Sequence, residues 1–171
     1  MRRTSFSDMS CPIARSLDLI GEWWSLLIIR EAFWGTRRFG EFEAHLGIAP
    51  NVLTQRLARL VEGGILEVVS ESQNGRALEY RLSPKGVELS PVLVALAQWG
   101  DRNLPRPEGP ATRIVERATG QDVAPITVMS ASGHTLRPKE IAVVAGPGAD
   151  PKEREQFAKA RAKRAQRTPA A

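Results

Sequence analysis

The chain has 171 residues, 42% of them apolar, so it can bury a core of ordinary size; a disordered protein is excluded, and Cys11, the single cysteine, rules out an intrachain disulfide scaffold. The formal net charge of +5 suggests a polyanionic partner until it is located: Lys152 to Arg167 holds seven basic residues against Glu153 and Glu155, which is the entire excess. The body of the chain is neutral, and any basic footprint on it must come from local placement of a few side chains.

No run approaches the ~18 apolar residues of a membrane span, and the opening MRRTSFSDMSCP lacks the apolar centre of a signal peptide, so a cytoplasmic protein is expected. With two histidines, His45 and His134, far apart, no metal cage and no cofactor are expected.

In chain order, Ile13 to Ile20 places Ile13, Leu17 and Ile20 on one side of a short helix, begun by Cys11-Pro12 and ended by Gly21. Trp23 to Trp34, WWSLLIIREAFW, is apolar almost all round and reads as the central core helix, with Arg30 and Glu31 toward its exposed end. Gly35 to Arg38 turns into a brief helix, Phe39 to Leu46, striped by Phe39, Phe42 and Leu46. A tight joint at Gly47, into which Ile48 tucks, leads to a second short helix, Pro50 to Glu62. Two short helices with a glycine in a joint of three or four residues make a helix-turn-helix, whose second helix is available to a DNA groove.

That second helix carries the chemistry. At ~100° per residue, Leu53, Leu57, Leu60 and Val61 form the core stripe. Asn51, Gln55, Ala58 and Glu62 lie opposite, Thr54 and Arg59 flank them, and Arg56 sits nearer the core edge. Amide, hydroxyl and guanidinium groups on an outer face can read base edges, and Arg37 and Arg38 stand where the preceding helix would meet a phosphate backbone. Pro50 suits the first helical position and Gly63-Gly64 the stop.

Ile65 to Ser72 and Ala77 to Leu82 read as strands joined through Asn74-Gly75, with Leu78, Tyr80 and Leu82 on the buried face and Glu79 and Arg81 outward. Such a hairpin after a helix-turn-helix is the wing of a winged helix. Arg76 at its tip has two open readings, a minor-groove or phosphate contact and a solvated arginine. Ser83-Pro84 opens an apolar helical stretch that Pro91 must kink or interrupt. Its apolar surface calls for a partner, and a second copy of the chain is the economical supplier.

The expected division is therefore a winged helix over 1–104, a proline-rich linker over 105–111, a small β appendage over 112–149, and a basic tail over 150–171, either frayed helix or disordered. The fold class is α+β. The appendage has too few apolar residues for a core of its own and should pack on the winged helix or its dimer mate.

Cys11-Pro12, EWWSLLIIRE, RRFGEF, LTQRLARL, GGIL and YRLSPKG, in this order and spacing between Cys11 and Arg102, resemble the HxlR-type winged-helix transcriptional regulators, relatives of the MarR group. The resemblance implies a homodimer on operator DNA, a repressor, with Arg38, Asn51, Thr54, Gln55, Arg56 and Arg59 as groove or phosphate contacts and Arg76 on the wing. Ala49 departs from the hydroxyl residue many members place at the helix N-cap, a loss of ~1 kcal/mol. Some members use a cysteine at the Cys11 position as a redox or electrophile sensor; with no second cysteine to resolve an oxidised thiol, a small buried residue is the favoured reading, and an intersubunit disulfide stays open. The appendage resembles a zinc-ribbon-like extension that has lost its cysteines, near Thr119, Met129 and Ser132, and is expected to be metal-free. A small-molecule or redox effector is open.

Three function classes compete. An enzyme is weakest, for there is no nucleophile and base pair, no phosphate loop and no carboxylate cluster. A winged helix used for protein contacts is the alternative to DNA binding, and Asn51, Gln55 and Arg59 suit DNA better than a dry protein interface.

Overall fold

The computed structural model describes residues 5–70 and 78–167. Its elements are α1 (Pro12–Ile20), α2 (Trp23–Trp34), α3 (Phe39–Leu46), α4 (Pro50–Glu62), β1 (Leu66–Ser70), β2 (Leu78–Leu82), α5 (Pro84–Val87), α6 (Ser90–Asn103) and α7 (Pro151–Arg167). This is the expected mixed architecture, a helix-turn-helix followed by a two-stranded antiparallel hairpin.

α2 is the axis of the core. Its Ile28 and Ile29 are fully buried, and around them pack Phe42 of α3, Leu53, Leu57 and Leu60 of α4, and Leu66 of β1. Phe42 meets Tyr80 of β2 edge to face, with ring centroids 6.4 Å apart, which ties the hairpin to α3. Gly35 and Gly47 end α2 and α3 in the left-handed region, at φ +103 and +61, and Gly47 thereby sets the joint between the two helices. α4 starts at Pro50, and its N-cap Ala49 supplies no side-chain acceptor, as its sequence implied.

The hairpin pairs Leu66 with Leu82, Val68 with Tyr80 and Ser70 with Leu78. Its tip, 71–77, with Asn74-Gly75 and Arg76, lies outside the described residues. Alternation holds for Tyr80 and Leu82, which are half-buried against the core, but fails one step earlier. Leu78 is exposed and Glu79 is buried, because Arg81 and Arg38 converge on its carboxylate: Arg81 Nη2 at 2.8 Å and Arg38 Nε at 4.0 Å. Ser83 then accepts a hydrogen bond from the Gly86 amide and donates to the Gly64 carbonyl, capping α5 and clasping the base of the wing. Pro91 interrupts rather than kinks: α5 stops after four residues and α6 begins afresh with Pro91 in its first turn.

The chain divides into a compact unit up to Ile126 and a second from Thr127. The boundary therefore falls beyond the proline-rich stretch 105–111. The Gln98 side chain explains this, donating to the Ala124 carbonyl and accepting from the Ile126 amide, so the segment after the linker belongs to the α6 surface. That segment forms a turn closed by the single bridge Val115–Asp122 and by the Arg113–Asp122 ion pair at 2.9 Å. The second unit contains a turn closed by the bridge Met129–Thr135, a 3-10 turn at Pro138–Glu140, and α7. The anticipated β appendage is thus two bridge-closed turns, not a sheet. Within the described residues the tail is helical over Pro151–Arg167, and Asp150 and Glu153 exchange backbone-to-carboxylate hydrogen bonds at its start, a reciprocal cap.

Candidate nucleic-acid interface

α4 presents its core stripe inward and leaves Asn51, Thr54, Gln55, Ala58 and Glu62 exposed. The side-chain amides of Asn51 and Gln55 make no hydrogen bond to other described residues, and both residues are exposed. The Thr54 hydroxyl donates to the Pro50 carbonyl one turn back, at 2.8 Å, which fixes its rotamer and leaves its oxygen able to accept. This is a compact polar face at the N-terminal half of the helix.

The two arginines of α4, expected among the DNA contacts, are drawn the other way. Arg59 Nη2 donates to the Asp18 carbonyl at 2.6 Å and to the Asp18 carboxylate at 3.2 Å. That carbonyl lies in the last turn of α1, where the helix leaves acceptors without internal partners. Arg56 Nη2 pairs with Glu22 at 3.3 Å, at the N-cap of α2, and both groups are largely buried. The Nε atoms of Arg56 and Arg59 are buried with no hydrogen-bond partner, while their Nη2 atoms tie α4 to the start of α2 and the end of α1, Arg59 remaining 38% exposed. The sequence placed Arg59 at the flank of the outer face and Arg56 nearer the core edge, where a helical wheel cannot tell a groove from a neighbouring helix.

The turn before α3 divides its two arginines. Arg37 folds back, donating to the carbonyls of Ala32 and Thr36 at 2.7 and 3.1 Å, and so caps the end of α2; its own carbonyl accepts from the Tyr80 amide. Arg38 stays 58% exposed, its Nε 4.0 Å from the Glu79 carboxylate. The backbone amides of Arg37 and Arg38 both donate to Glu41, which caps α3; these bonds hold the Glu41 carboxyl below its ordinary range.

Between α2 and α3 lies a polar cluster that the sequence did not disclose. Glu31 was expected toward the exposed end of α2, yet it is only 4% exposed. One of its oxygens accepts from Arg30 at 2.8 Å; the other accepts from Thr36 at 3.0 Å and lies 3.1 Å from His45 Nδ1. Burial alone would raise the Glu31 carboxyl, but the hydrogen bonds from Arg30, Thr36 and His45 together lower it below its usual value. The cluster joins α2, the turn and the last turn of α3, and so sets where the helix-turn-helix sits on the core helix.

Cys11 is exposed at the N-cap of α1, in place of the expected small buried residue. Among the described residues no group of three or more His, Cys, Asp or Glu side chains could hold a metal ion, and no helix is long and apolar enough to cross a membrane.

Residues 19–108 match the family model described as HxlR-like helix-turn-helix. An uncharacterised HTH-type transcriptional regulator of Mycobacterium tuberculosis H37Rv, Rv3095, is 40% identical over 136 residues, which cover 80% of this chain and 86% of the relative. Among solved structures, PA1607, assigned as a transcription factor, is 44% identical with a TM-score of 0.78, covering 84% of this chain and all of that one. PA1374 of Pseudomonas aeruginosa, assigned likewise, is 43% identical with a TM-score of 0.60. A helix-turn-helix with a polar outer face, a hairpin wing, and these similarities together make the chain a member of the HxlR-like family of winged helix-turn-helix, DNA-binding transcriptional regulators.

Proposed function

We propose that the chain acts as a homodimeric repressor in which each subunit lays α4 in a major groove, with Asn51, Thr54 and Gln55 reading base edges. The single observation that carries this is the α4 outer face: exposed amides at Asn51 and Gln55, with no aromatic side chain on that face to favour a dry protein contact. Arg38 fixes register on a phosphate, and Arg76 on the wing touches the flank. Arg56 and Arg59 serve as positioning residues.

Dimerisation is supported by apolar side chains that one chain leaves uncovered. Ile13 and Leu17 of α1 are 68% and 46% exposed, and Val92, Leu96 and Trp99 form an exposed stripe at i, i+4 and i+7 along α6. Two copies joined there would place two recognition helices about one DNA turn apart. Repression is the reading taken because operator occupancy by such a dimer suffices for it, whereas activation requires a further contact.

Footprinting of the full chain on genomic DNA tests this. A protected site of two half-sites, bound by a dimer in sedimentation, with increased transcription on deletion, is expected. Sequence-independent binding with no protected site would overturn it.

A further inference from the structure

A protein that binds duplex DNA draws much of its affinity from neutralised phosphates, and most described cations of the helix-turn-helix are engaged within the fold. Arg37 caps α2, Arg56 is paired with Glu22, and Arg59 is held by Asp18. The docking proposed above therefore leaves Arg38 and Arg76 for the backbone, on a body whose charges balance. The whole formal excess of +5 lies instead between Lys152 and Arg167, which α7 spans.

α7 sorts its charges by side. Phe157 is half-buried, and with Arg154, Ala158 and Arg161 it lines a cleft against Val144 and Ala145 of the same unit. Arg154 also donates to the Pro147 and Ala149 carbonyls, so this side ties the helix to the segment before it. At ~100° per residue, Lys152, Lys159 and Lys163 fall within ~40° of one another on the opposite side. All three are exposed, and the side chains of Lys152 and Lys163 make no bond to other described residues. Lys159 is in an ion pair with Glu155 in which both side chains are open to water, a kind that contributes little and yields to a phosphate. At ~1.5 Å per residue the stripe is about 16 Å long. Duplex DNA sets a phosphate every ~3.4 Å of axis on each strand, so a rod of this length passes several.

We infer that α7 is a second DNA-binding element, which lays this lysine stripe along a phosphate backbone and adds affinity without reading sequence. The inference rests on the DNA-binding reading of α4. The rival polyanion, an anionic bilayer, meets an objection in the same division of sides. An interfacial helix buries an apolar face in lipid, and Phe157, the one large apolar side chain of α7, is already turned to Val144 and Ala145.

The full chain is titrated into a short labelled duplex of random sequence, and fluorescence anisotropy is followed across a salt series. One variant combines Lys152→Gln, Lys159→Gln and Lys163→Gln. A control combines Arg102→Gln, Arg106→Gln and Arg117→Gln, exposed cations outside α7, for an equal change in net charge. Lysine, glutamine and arginine are comparable helix formers, so α7 is retained in all of them. Losing three phosphate contacts should reduce the steepness of log K against log salt by about 2–3 per bound chain and weaken binding at low salt about tenfold or more. The control should move the slope by less than about one, and arginine at the three lysine positions should restore it. On the operator found by footprinting, the lysine variant should lose the same factor, so that its preference over random duplex is unchanged; a changed preference would overturn the sequence-independent role. Equal slopes in parent and lysine variant would overturn the inference and leave the α4 docking intact, whereas a parent that binds no duplex would overturn both. Binding of the parent to phosphatidylserine vesicles that the lysine substitutions abolish, with duplex affinity unchanged, would assign the stripe to a membrane instead.

Discussion

Replacing Arg59 by alanine should destabilise the fold without altering which sequence is bound. The guanidinium makes a 2.6 Å hydrogen bond to the Asp18 carbonyl and a 3.2 Å contact with its carboxylate, linking α4 to α1 across 41 positions of sequence. A charge-assisted bond of this kind contributes about 1.5–3 kcal/mol net, whereas an ion pair open to water contributes about 0–1. The side chains are 38% and 16% exposed, so partial solvation places the loss at about 1.5–2 kcal/mol. Urea unfolding of the full chain measures it, and a cycle with Asp18→Asn and Arg59→Gln should return a coupling of about 1 kcal/mol. Under conditions where the variant is fully folded, its preference among operator variants should match the parent. By contrast, Gln55→Ala should leave the urea midpoint unchanged and weaken operator binding at fixed salt by about 1–3 kcal/mol. If Arg59→Ala leaves stability intact and relaxes base preference, the inward assignment of Arg59 is wrong and it belongs on the reading face.

Other outcomes are equally specific. Because hydrogen bonds hold the Glu31 carboxyl below its ordinary value, its contribution to stability is present above the unfolded-state value of 4.5 and is lost as pH falls through the lower folded value; Glu31→Gln should flatten that part of the acid-unfolding profile, and an unchanged profile would remove Glu31 from it. Gly86→Ala should destabilise by about 2–4 kcal/mol in urea titration, since a Cβ there would stand 2.2 Å from the Ile65 carbonyl oxygen, a backbone atom that cannot swing aside. Cys11 in the folded chain should react with a thiol reagent as fast as it does in urea, and strong protection would show that its surroundings are closed in solution. Purified full chain should carry zinc well below one equivalent by elemental analysis; stoichiometric zinc would contradict the expectation drawn from the missing cysteines.

Local signals account for what could be read in advance. Pro50 and the glycines at 47, 63 and 64 bracket α4, and the spacing of Leu53, Leu57 and Leu60 sets its inner side, so the helix and its exposed amides were legible from neighbouring residues alone. The partners of its arginines were not. Asp18 and Glu22 are distant in sequence, and a residue at the flank of a helix has two possible environments that periodicity does not separate. Glu31 and Glu79 are a sharper instance. Each is a carboxylate in an apolar neighbourhood, and each is buried where a cation beside it in its own element is joined by groups from another: Arg30 with Thr36 and His45 on the first, Arg81 with Arg38 on the second. The unit boundary at Ile126 has a similar cause, since one glutamine in α6 anchors a segment that composition assigns to an appendage.

α1 serves two neighbours at once. One side carries Ile13 and Leu17, which the proposed dimer would cover; another carries Asp18, which grips Arg59. The recognition helix would then be bolted to the same short rod that sets the distance to its twin. Each added base pair between half-sites rotates one of them by roughly 34–36° about the DNA axis, and a joint without slack offers no means to follow it. Spacer length would therefore discriminate operators as strictly as base identity does, and a library varying only the spacer should show a single sharp optimum.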